Sequence, residues 1–212
     1  MNWFQKLHET FIVDDRYMWM VEGLGNTLII TFGALAIGVV IGTLVAVAKY
    51  YCEGNKKLRF VSWLCDLYTT VIRGIPMTVL LLLFFFVLFV SARNGVPVAI
   101  AAFGINSGAY MAELIRGGIQ AVDKGQMEAG RSLGLSKGQA MAKIILPQAI
   151  RIVIPSVLNQ FIITLKDTSI LSVIGCGELM RQGQMIVARN FRSFETYAII
   201  AVMYYVVVIF LT

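Results

Sequence analysis

Charged residues are scarce in this chain of 212 residues. Lysine, arginine, aspartate and glutamate together make up 14% of it, whereas a soluble domain carries roughly 25%. The chain therefore lacks the residues that a water-facing surface requires, and 58% of its residues are hydrophobic. This balance predicts an integral membrane protein.

Patterns that would support catalysis, metal binding or nucleotide binding are also missing. The one histidine, His8, stands alone, and Cys52, Cys65 and Cys176 show neither Cys-x-x-Cys nor Cys/His spacing. We interpret the cysteines as small apolar residues in or near membrane helices. The chain contains no Gly-x-x-x-x-Gly-Lys-Ser/Thr loop. We therefore expect no metal and no cofactor in this chain.

The hydrophobic residues are gathered into long runs. A run of about 18 apolar residues crosses the hydrocarbon as a helix, and residues 23–48, 74–92 and 94–112 contain no charge. The pattern predicts an all-α, polytopic membrane protein: a single domain over residues 1–212 with five transmembrane helices. They are expected at about residues 24–48, 66–90, 97–116, 152–177 and 196–212. The last span has no basic residue behind it, so we expect further residues beyond Thr212.

The basic residues predict the orientation of these spans. Ten of the 18 fall in two segments, residues 49–59 and 116–151. Neither segment is a compact basic cluster with interleaved aromatics, which argues against nucleic-acid binding. Positive residues in short loops mark the cytoplasmic side instead. We expect an interfacial N-terminal stretch outside the cytoplasm and a C-terminus inside.

Residues 117–150 differ from the spans because they are rich in charge and glycine. Gly134 is typical of a helix stop, and Ser136 with Gln139 has the spacing of a capping box. We expect two short helices at an angle, the second ended by Pro147. Pro76 is expected near the cytoplasmic end of the second span.

Residues 117–150 contain Glu128-Ala129-Gly130, then Gly134, then Ile144-x-Leu146-Pro147. This sequence resembles the loop motif of permease subunits of binding-protein-dependent ABC importers: Glu-Ala-Ala, three residues, Gly, nine residues, Ile-x-Leu-Pro. We therefore call residues 117–150 the coupling loop. Every spacing fits, and the one departure is Gly130 in place of the second alanine. The resemblance implies that these residues contact an ATPase. They are Glu128, Ala129, Gly130, Gly134, Ile144, Leu146 and Pro147.

Further segments resemble the polar amino-acid branch of these permeases, the histidine, glutamine and arginine type. They are Arg73-Gly74-Ile75-Pro76, residues 106–110, 113–119 and 146–149, and Lys166-Asp167-Thr168-Ser169. The resemblance implies a permease dimer (identical or related subunits), two cytoplasmic ATPase subunits that bind ATP and Mg, and an extracytoplasmic substrate-binding protein. The permease itself is then not an enzyme. It moves polar L-amino acids into the cell across the inner membrane by alternating access.

Lys166 and Asp167 are charges at membrane depth, which cost several kcal/mol unless they are paired or face a polar cavity. Transporters place substrate sites at broken helices, and Pro155, Gly175 and Gly177 suggest such a break. The two charges would match the charges of an amino-acid zwitterion, although a structural ion pair with Glu113, Arg116 or Arg181 explains them about as well. The hypothetical substrate-binding residues are Lys166, Asp167, Thr168, Ser169, Asn106, Glu113 and Glu178.

Two other functions compete with the importer. In an ion channel, Lys166 or Asp167 would form a charged ring in a symmetric pore, but a channel has no need of a docking loop for an ATPase. An intramembrane enzyme would need a nucleophile–base pair or a metal site at membrane depth, and the only histidine lies outside every predicted span.

Overall fold

The computed structural model describes residues 3–52 and 58–211, with side chains from Gln5 onward. Every regular element in these ranges is helical. The α-helices are α1 (Trp3–Leu7), α2 (Arg16–Cys52), α3 (Arg59–Gly74), α4 (Met77–Leu83), α5 (Gly95–Ala121), α6 (Lys124–Ser132), α7 (Lys137–Ala140), α8 (Leu146–Asp167), α9 (Leu179–Asn190) and α10 (Ser193–Leu211). Segments of π-helix cover His8–Ile12, Phe84–Leu88 and Met141–Ile145, and 3-10 helix covers Val13–Asp15 and Thr168–Ile174.

Four helical stretches in the described ranges are long and apolar enough to cross a membrane, and a fifth is obtained if the broken pair α3–α4 is one span. The four are Gln5–Cys52, Gly95–Ala121, Lys137–Ile174 and Ser193–Leu211. The predicted class, an all-α polytopic membrane protein, is confirmed.

The first long helix begins earlier than the sequence suggested. Helix α2 starts at Arg16, not near residue 24, because the guanidinium of Arg16 anchors its first turn. It lies 2.6 Å from Asp14 Oδ2 and donates to the carbonyl of Glu9 at 3.3 Å. No proline interrupts residues 16–52, so the aromatic stretch before residue 24 continues the same helix.

The second predicted helix is wrong in its continuity. It is expected to run from about Asp66 to Val90, but α3 ends at Gly74 and α4 begins at Met77. Ile75 between them is extended, with φ −93° and ψ 129°. The ring of Pro76 excludes the α conformation at the preceding residue and removes one backbone N–H, so the helix breaks.

The prediction that Pro147 ends the loop helix is also wrong. Helix α7 continues through the π-helical Met141–Ile145 into α8, which carries Pro147 at its second position. Proline is tolerated in the first turn of an α-helix. The wider π turn before it provides i→i+5 hydrogen bonds in place of the bond that proline cannot make.

The chain divides into two compact units, and the first comprises 1–34, 77–103 and 162–212. Its core joins the N-terminal segment and α2 to α9 and α10. The buried residues at its centre are Phe11, Met20, Leu179, Ile186 and Ile200. Gly23 allows α2 to approach α9, since a Cβ there would lie 3.0 Å from Leu179 Cα.

The second unit comprises 35–76 and 104–161 and contains the coupling loop. In it α2 and α5 pack through small residues, as is common in membranes. A Cβ on Gly38 would lie 2.7 Å from Ser107 Cβ, and a Cβ on Gly104 would lie 2.8 Å from Ile37 Cβ. The small-residue pattern Gly38-x-x-x-Gly42 lies in this contact, and a second pair, Gly104 and Gly108, completes it from the α5 side.

Two polar side chains of α3, Tyr68 and Thr69, lie on its packed face. Thr69 is buried, and the hydroxyl of Tyr68 donates to the carbonyl of Ile105 at 2.6 Å. Its large apolar side chains are exposed at a helical spacing; they are Phe60, Trp63, Leu64, Leu67 and Val71. This arrangement is the reverse of a soluble amphipathic helix.

Candidate functional site

The stop of α6 in the coupling loop has a defined geometry. Gly134 has a φ of +84°, a region that residues with a Cβ rarely adopt. Its amide donates to the carbonyl of Arg131 at 3.0 Å, and the amide of Leu135 donates to the carbonyl of Gly130 at 3.2 Å. These two bonds form a Schellman motif. The helix stop predicted at Gly134 is confirmed.

The next helix of the loop starts as the sequence indicates. The amide of Gln139 donates to Ser136 Oγ at 3.3 Å, and the amide of Ser136 donates to Gln139 Oε1 at 2.9 Å. Both bonds of the predicted capping box are present. A Schellman stop and a capping box therefore lie back to back and fix the turn between α6 and α7.

Gly130, the one departure from the family motif, lies at the contact between α6 and the segment that follows α7. A Cβ at this position would stand 2.8 Å from Ile144 Cδ1 and 3.2 Å from Ala140 Cβ. The missing methyl group brings the two helices closer together. A small cluster of buried residues supports the loop: Val122, Ile145 and Ala149.

The residues expected to contact an ATPase fall into two groups. Glu128, Ala129, Leu146 and Pro147 are exposed, whereas Gly130 is buried and Ile144 is partly buried. The sequence interpretation missed Leu133, whose side chain is 83% exposed at the tip of α6. Its position next to the exposed residues of the motif makes it a candidate for the contact with a partner. Its place directly before Gly134 was the only available signal.

Lys166 and Asp167 lie at the end of α8, where the α-helix changes to the 3-10 segment Thr168–Ile174. The break predicted in this span is not seen at the two charges: α8 runs unbroken through Pro155, the helical stretch continues to Ile174, and only the helix type changes after Asp167. Gly175 closes the segment with a φ of +74°. Within the described ranges neither charge has an ion-pair partner within 4 Å of it in another helix.

Glu178 is fully buried and caps the N-terminus of α9. Its Oε1 accepts from the amide of Arg181 at 2.6 Å, and its Oε2 accepts from the amide of Met180 at 2.8 Å. Burial raises the pKa of this carboxyl to about 7, although the two backbone N–H groups favour its charged form. The side chain holds α9 in this structure, and its role toward substrate stays a prediction.

The hydroxyl of Tyr204 brings two of the predicted residues together. It donates to Glu178 Oε2 at 3.3 Å and lies beside the side chains of Thr27 and Thr168. Asn26 Nδ2 donates to the carbonyl of Gly177 at 2.8 Å in the same region. Sequence reasoning missed Asn26, Thr27 and Tyr204, because no local pattern links positions so far apart in the chain.

The remaining predicted residues lie in the second unit. Glu113 is paired with Lys49 at 3.0 Å and with Arg116 at 2.6 Å. The ion pair with Arg116 lies within α5 and is not the structural ion pair of Lys166 or Asp167 that the sequence left open. Asn106 is partly buried on α5. The substrate-binding role of these two residues, and of Lys166, Asp167, Thr168 and Ser169, stays a prediction.

With the loop geometry established, the comparison with known proteins identifies the family. Residues 38–212 match the model of the binding-protein-dependent transport system inner membrane component. The chain belongs to this family. The permease is thus an integral inner-membrane protein, as the composition and the coupling loop predicted.

Two relatives of the permease are named as permeases of amino-acid transport systems. It is 39% identical over 202 residues to the glutamine transport system permease protein of Escherichia coli (strain K12), covering 91% of this chain and 88% of that protein. It is 34% identical over 205 residues to the arginine transport system permease protein of Bacillus subtilis (strain 168), covering 92% and 88%.

Two solved structures are similar to the permease. One is the crystal structure of an amino acid ABC transporter with histidines, with a TM-score of 0.85 and 40% identity, covering 95% of this chain and 93% of that one. The other is an inward facing MetNI methionine ABC transporter, with a TM-score of 0.77 and 22% identity, covering 92% of each chain. The second similarity shows the fold alone.

Proposed function

We propose that this permease imports polar L-amino acids by alternating access, driven by ATP hydrolysis on a partner subunit. Relatives that cover most of its length are named as glutamine and arginine transport permeases. The observation that carries the proposal is the coupling loop, whose motif spacing is matched by a rigid turn with an exposed tip. Family membership also favours an importer over the channel and intramembrane-enzyme alternatives.

The partners follow from this function. Two cytoplasmic ATPase subunits bind ATP and Mg, and the permease itself catalyses no reaction and holds no cofactor. A second permease subunit, identical or related, completes the membrane part. An extracytoplasmic binding protein delivers the substrate. The N-terminus lies outside the cytoplasm and the C-terminus inside, so the coupling loop meets the ATPase on the cytoplasmic side.

The substrate class is supported by the change of helix type after Asp167. At that point the backbone leaves the α pattern beside a carboxylate, an ammonium group and two hydroxyls, from Asp167, Lys166, Thr168 and Ser169. A change of helix type alters the pattern of backbone hydrogen bonds, and transporters bind polar ligands where a membrane helix departs from the regular α pattern. The zwitterion of an amino acid supplies one charge for each of the two charged side chains.

The test uses the permease produced together with its ATPase. We expect the two to purify as one complex, and reconstituted vesicles with a loaded binding protein to take up an amino acid when ATP is inside. Leu133→Ala is expected to weaken retention of the ATPase by about tenfold, which corresponds to about 1.4 kcal/mol. Val90→Ala is the matched control, because Val90 is exposed outside the coupling loop.

A complex that keeps its ATPase equally well in Leu133→Ala and Val90→Ala would remove the tip of α6 from the contact. If the wild-type complex shows no ATP-dependent uptake of any amino acid in a full panel, the transport proposal itself fails.

A further inference from the structure

Lys49, in the last turn of α2, holds two other helices of the second unit. Its Nζ lies 2.7 Å from Oδ1 of Asp66 in α3 and 3.0 Å from Oε1 of Glu113 in α5. The Lys49 side chain is 14% exposed and that of Glu113 is 19% exposed. One largely desolvated ammonium group therefore joins three helices.

The orientation of Glu113 is fixed from its other side. Its second carboxylate oxygen accepts from Arg116, at 2.6 Å from Nη2 and 3.1 Å from Nε. Arg116 in turn donates to Gln120 Oε1 at 3.3 Å. Because both oxygens of Glu113 are occupied, Lys49 meets a carboxylate that cannot rotate freely. The contact between Lys49 and Glu113 therefore fixes the relative position of the two side chains in addition to pairing their charges.

The next residue in the chain, Tyr50, reaches the coupling loop. The Nζ of Lys137, the first residue of α7, lies over the Tyr50 ring at 5.4 Å from its centre. This distance is in the range of a cation–π contact. The Tyr50 hydroxyl is buried and has no hydrogen-bond partner among the described residues. The aromatic ring alone makes the contact.

Successive residues of an α-helix point about 100° apart, so Lys49 and Tyr50 contact different neighbours from one rigid turn. A cavity of about 200 Å³ lies beside them and is lined in part by Ser62 and Arg116. Two adjacent residues of α2 therefore link Lys137 of the coupling loop to α3 and α5.

We propose that Lys49 and Tyr50 form a junction that passes motion of the coupling loop to α3 and α5. This inference rests on the proposed ATP-driven transport. Lys49 and Tyr50 act as positioning residues, since they meet the loop and the helices and not the substrate. Removing the junction uncouples ATP hydrolysis from transport while the ATPase stays bound through the tip of α6.

The test measures amino acid transported per ATP hydrolysed by the reconstituted complex, together with ATPase retention and melting temperature. Coupling between sites commonly amounts to a factor of about 5 to 150. We expect Tyr50→Leu, Lys137→Met and Lys49→Met each to lower the transported amount per ATP by about fivefold or more. We expect Tyr50→Phe and Lys49→Arg to retain it, because they keep the ring and the cation. Arg151→Met is the charge control, since Arg151 is exposed.

The double variant Tyr50→Leu with Lys137→Met is expected to lose no more than either single variant. If Lys49→Met reduces expression, Tyr50→Leu still tests the junction, because it leaves the three carboxylate contacts of Lys49 and Arg116 in place. Unchanged transport per ATP in Tyr50→Leu and Lys137→Met, with a wild type that transports, overturns the junction. A wild type that transports no amino acid overturns the proposed function instead.

Discussion

Gly42 of α2 lies against Met111 of α5 with no room for a side chain. A Cβ at Gly42 would stand 2.4 Å from Met111 Cβ and 2.9 Å from the amide nitrogen of Ala112. Backbone atoms cannot move aside as the end of a flexible side chain can. The separation of α2 and α5 is therefore set by the absence of a methyl group.

The first prediction concerns this contact. Gly42→Ala forces α2 and α5 apart and is expected to lower the melting temperature of the purified permease, since overpacking costs about 1–3 kcal/mol. Gly25→Ala is the control in the same helix, because a Cβ at Gly25 meets no atom within 4 Å. There the better helix propensity of alanine is expected to leave the stability equal or higher. Equal melting temperatures for the two variants would contradict the close approach.

The second prediction concerns the stop of α6. Gly134→Ala has open space around the new methyl group but a φ of +84°, so its cost is backbone strain of about 1 kcal/mol. We expect the variant to insert normally and to retain its ATPase less well, because the strain changes the direction in which the chain leaves α6. Gly117→Ala, also in open space but without positive φ, is expected to behave as wild type. Full ATPase retention in both would separate the helix stop from docking.

The third prediction concerns Glu178. Its pKa is raised by burial to about 7, so the folded state binds this proton more tightly than the unfolded chain. The stabilising effect is complete below the pKa of the unfolded carboxyl, about 4.3, and is lost as the pH rises through about 7. Melting temperatures are expected to fall from about pH 5 to about pH 8. This slope is expected to shrink in Glu178→Gln and to persist in Glu22→Gln, where the carboxyl is exposed. A slope that Glu178→Gln leaves intact would assign the pH dependence to other groups.

The fourth prediction places the ammonium group of the substrate against Asp167. Asp167→Asn keeps the shape of the side chain and removes its charge. Losing a charge-assisted hydrogen bond costs about 1.5–3 kcal/mol, so we expect an apparent substrate affinity about 10- to 100-fold weaker. Asp15→Asn, exposed and outside α8, is the control. A folded Asp167→Asn complex with wild-type substrate dependence would rule out the contact, whereas lost expression would indicate a structural carboxylate.

The fifth prediction concerns topology. In a background without Cys52, Cys65 and Cys176, a cysteine at the exposed Asn94 is expected to react with an impermeant reagent from outside. A cysteine at Lys143 is expected to react only after permeabilisation. Labelling of Lys143 in intact cells would put the coupling loop on the wrong side for an ATPase. Asn190 is a second outside position and Asn55 a second inside position, although Asn55 lies outside the described residues.

Local chemistry explains what could be predicted from the sequence. Gly134 and Ser136 determine their own geometry, since a helix stop and a capping box involve residues within five positions of each other. Pro76 and Pro147 show the limit of local reasoning. Both were expected near helix ends, yet one breaks a helix and the other is accommodated by a π turn. The outcome at each proline depends on whether the backbone carbonyls that lose the proline N–H as a donor find another N–H group. The proline residue alone does not determine this.

The candidate site required contacts between distant positions. Glu178 was named only as a candidate substrate-binding residue, and its contacts in the structure, the cap of α9 through both oxygens and the bond from Tyr204, could not be read from the sequence. Lys49 was interpreted only as one of the basic residues of a cytoplasmic segment, and its two carboxylate partners lie 17 and 64 positions away. A hydrophobic pattern indicates which face of a helix is apolar, but it does not indicate which helices pack against each other.

The reversed faces of α3 constrain how the protein is made. With Phe60, Trp63 and Leu67 exposed and Thr69 buried, this helix has no favourable arrangement in water, where the apolar face would turn inward and expel the polar one. If the finished chain were released into the cytosol, α3 would therefore tend to bury its apolar face instead of its polar one. If α3 is inserted during synthesis, its apolar face contacts lipid before α5 has emerged. Its polar face is then left for packing against α5. Biogenesis of this permease is thus expected to depend on the insertion machinery even when the downstream helices are supplied as a separate fragment.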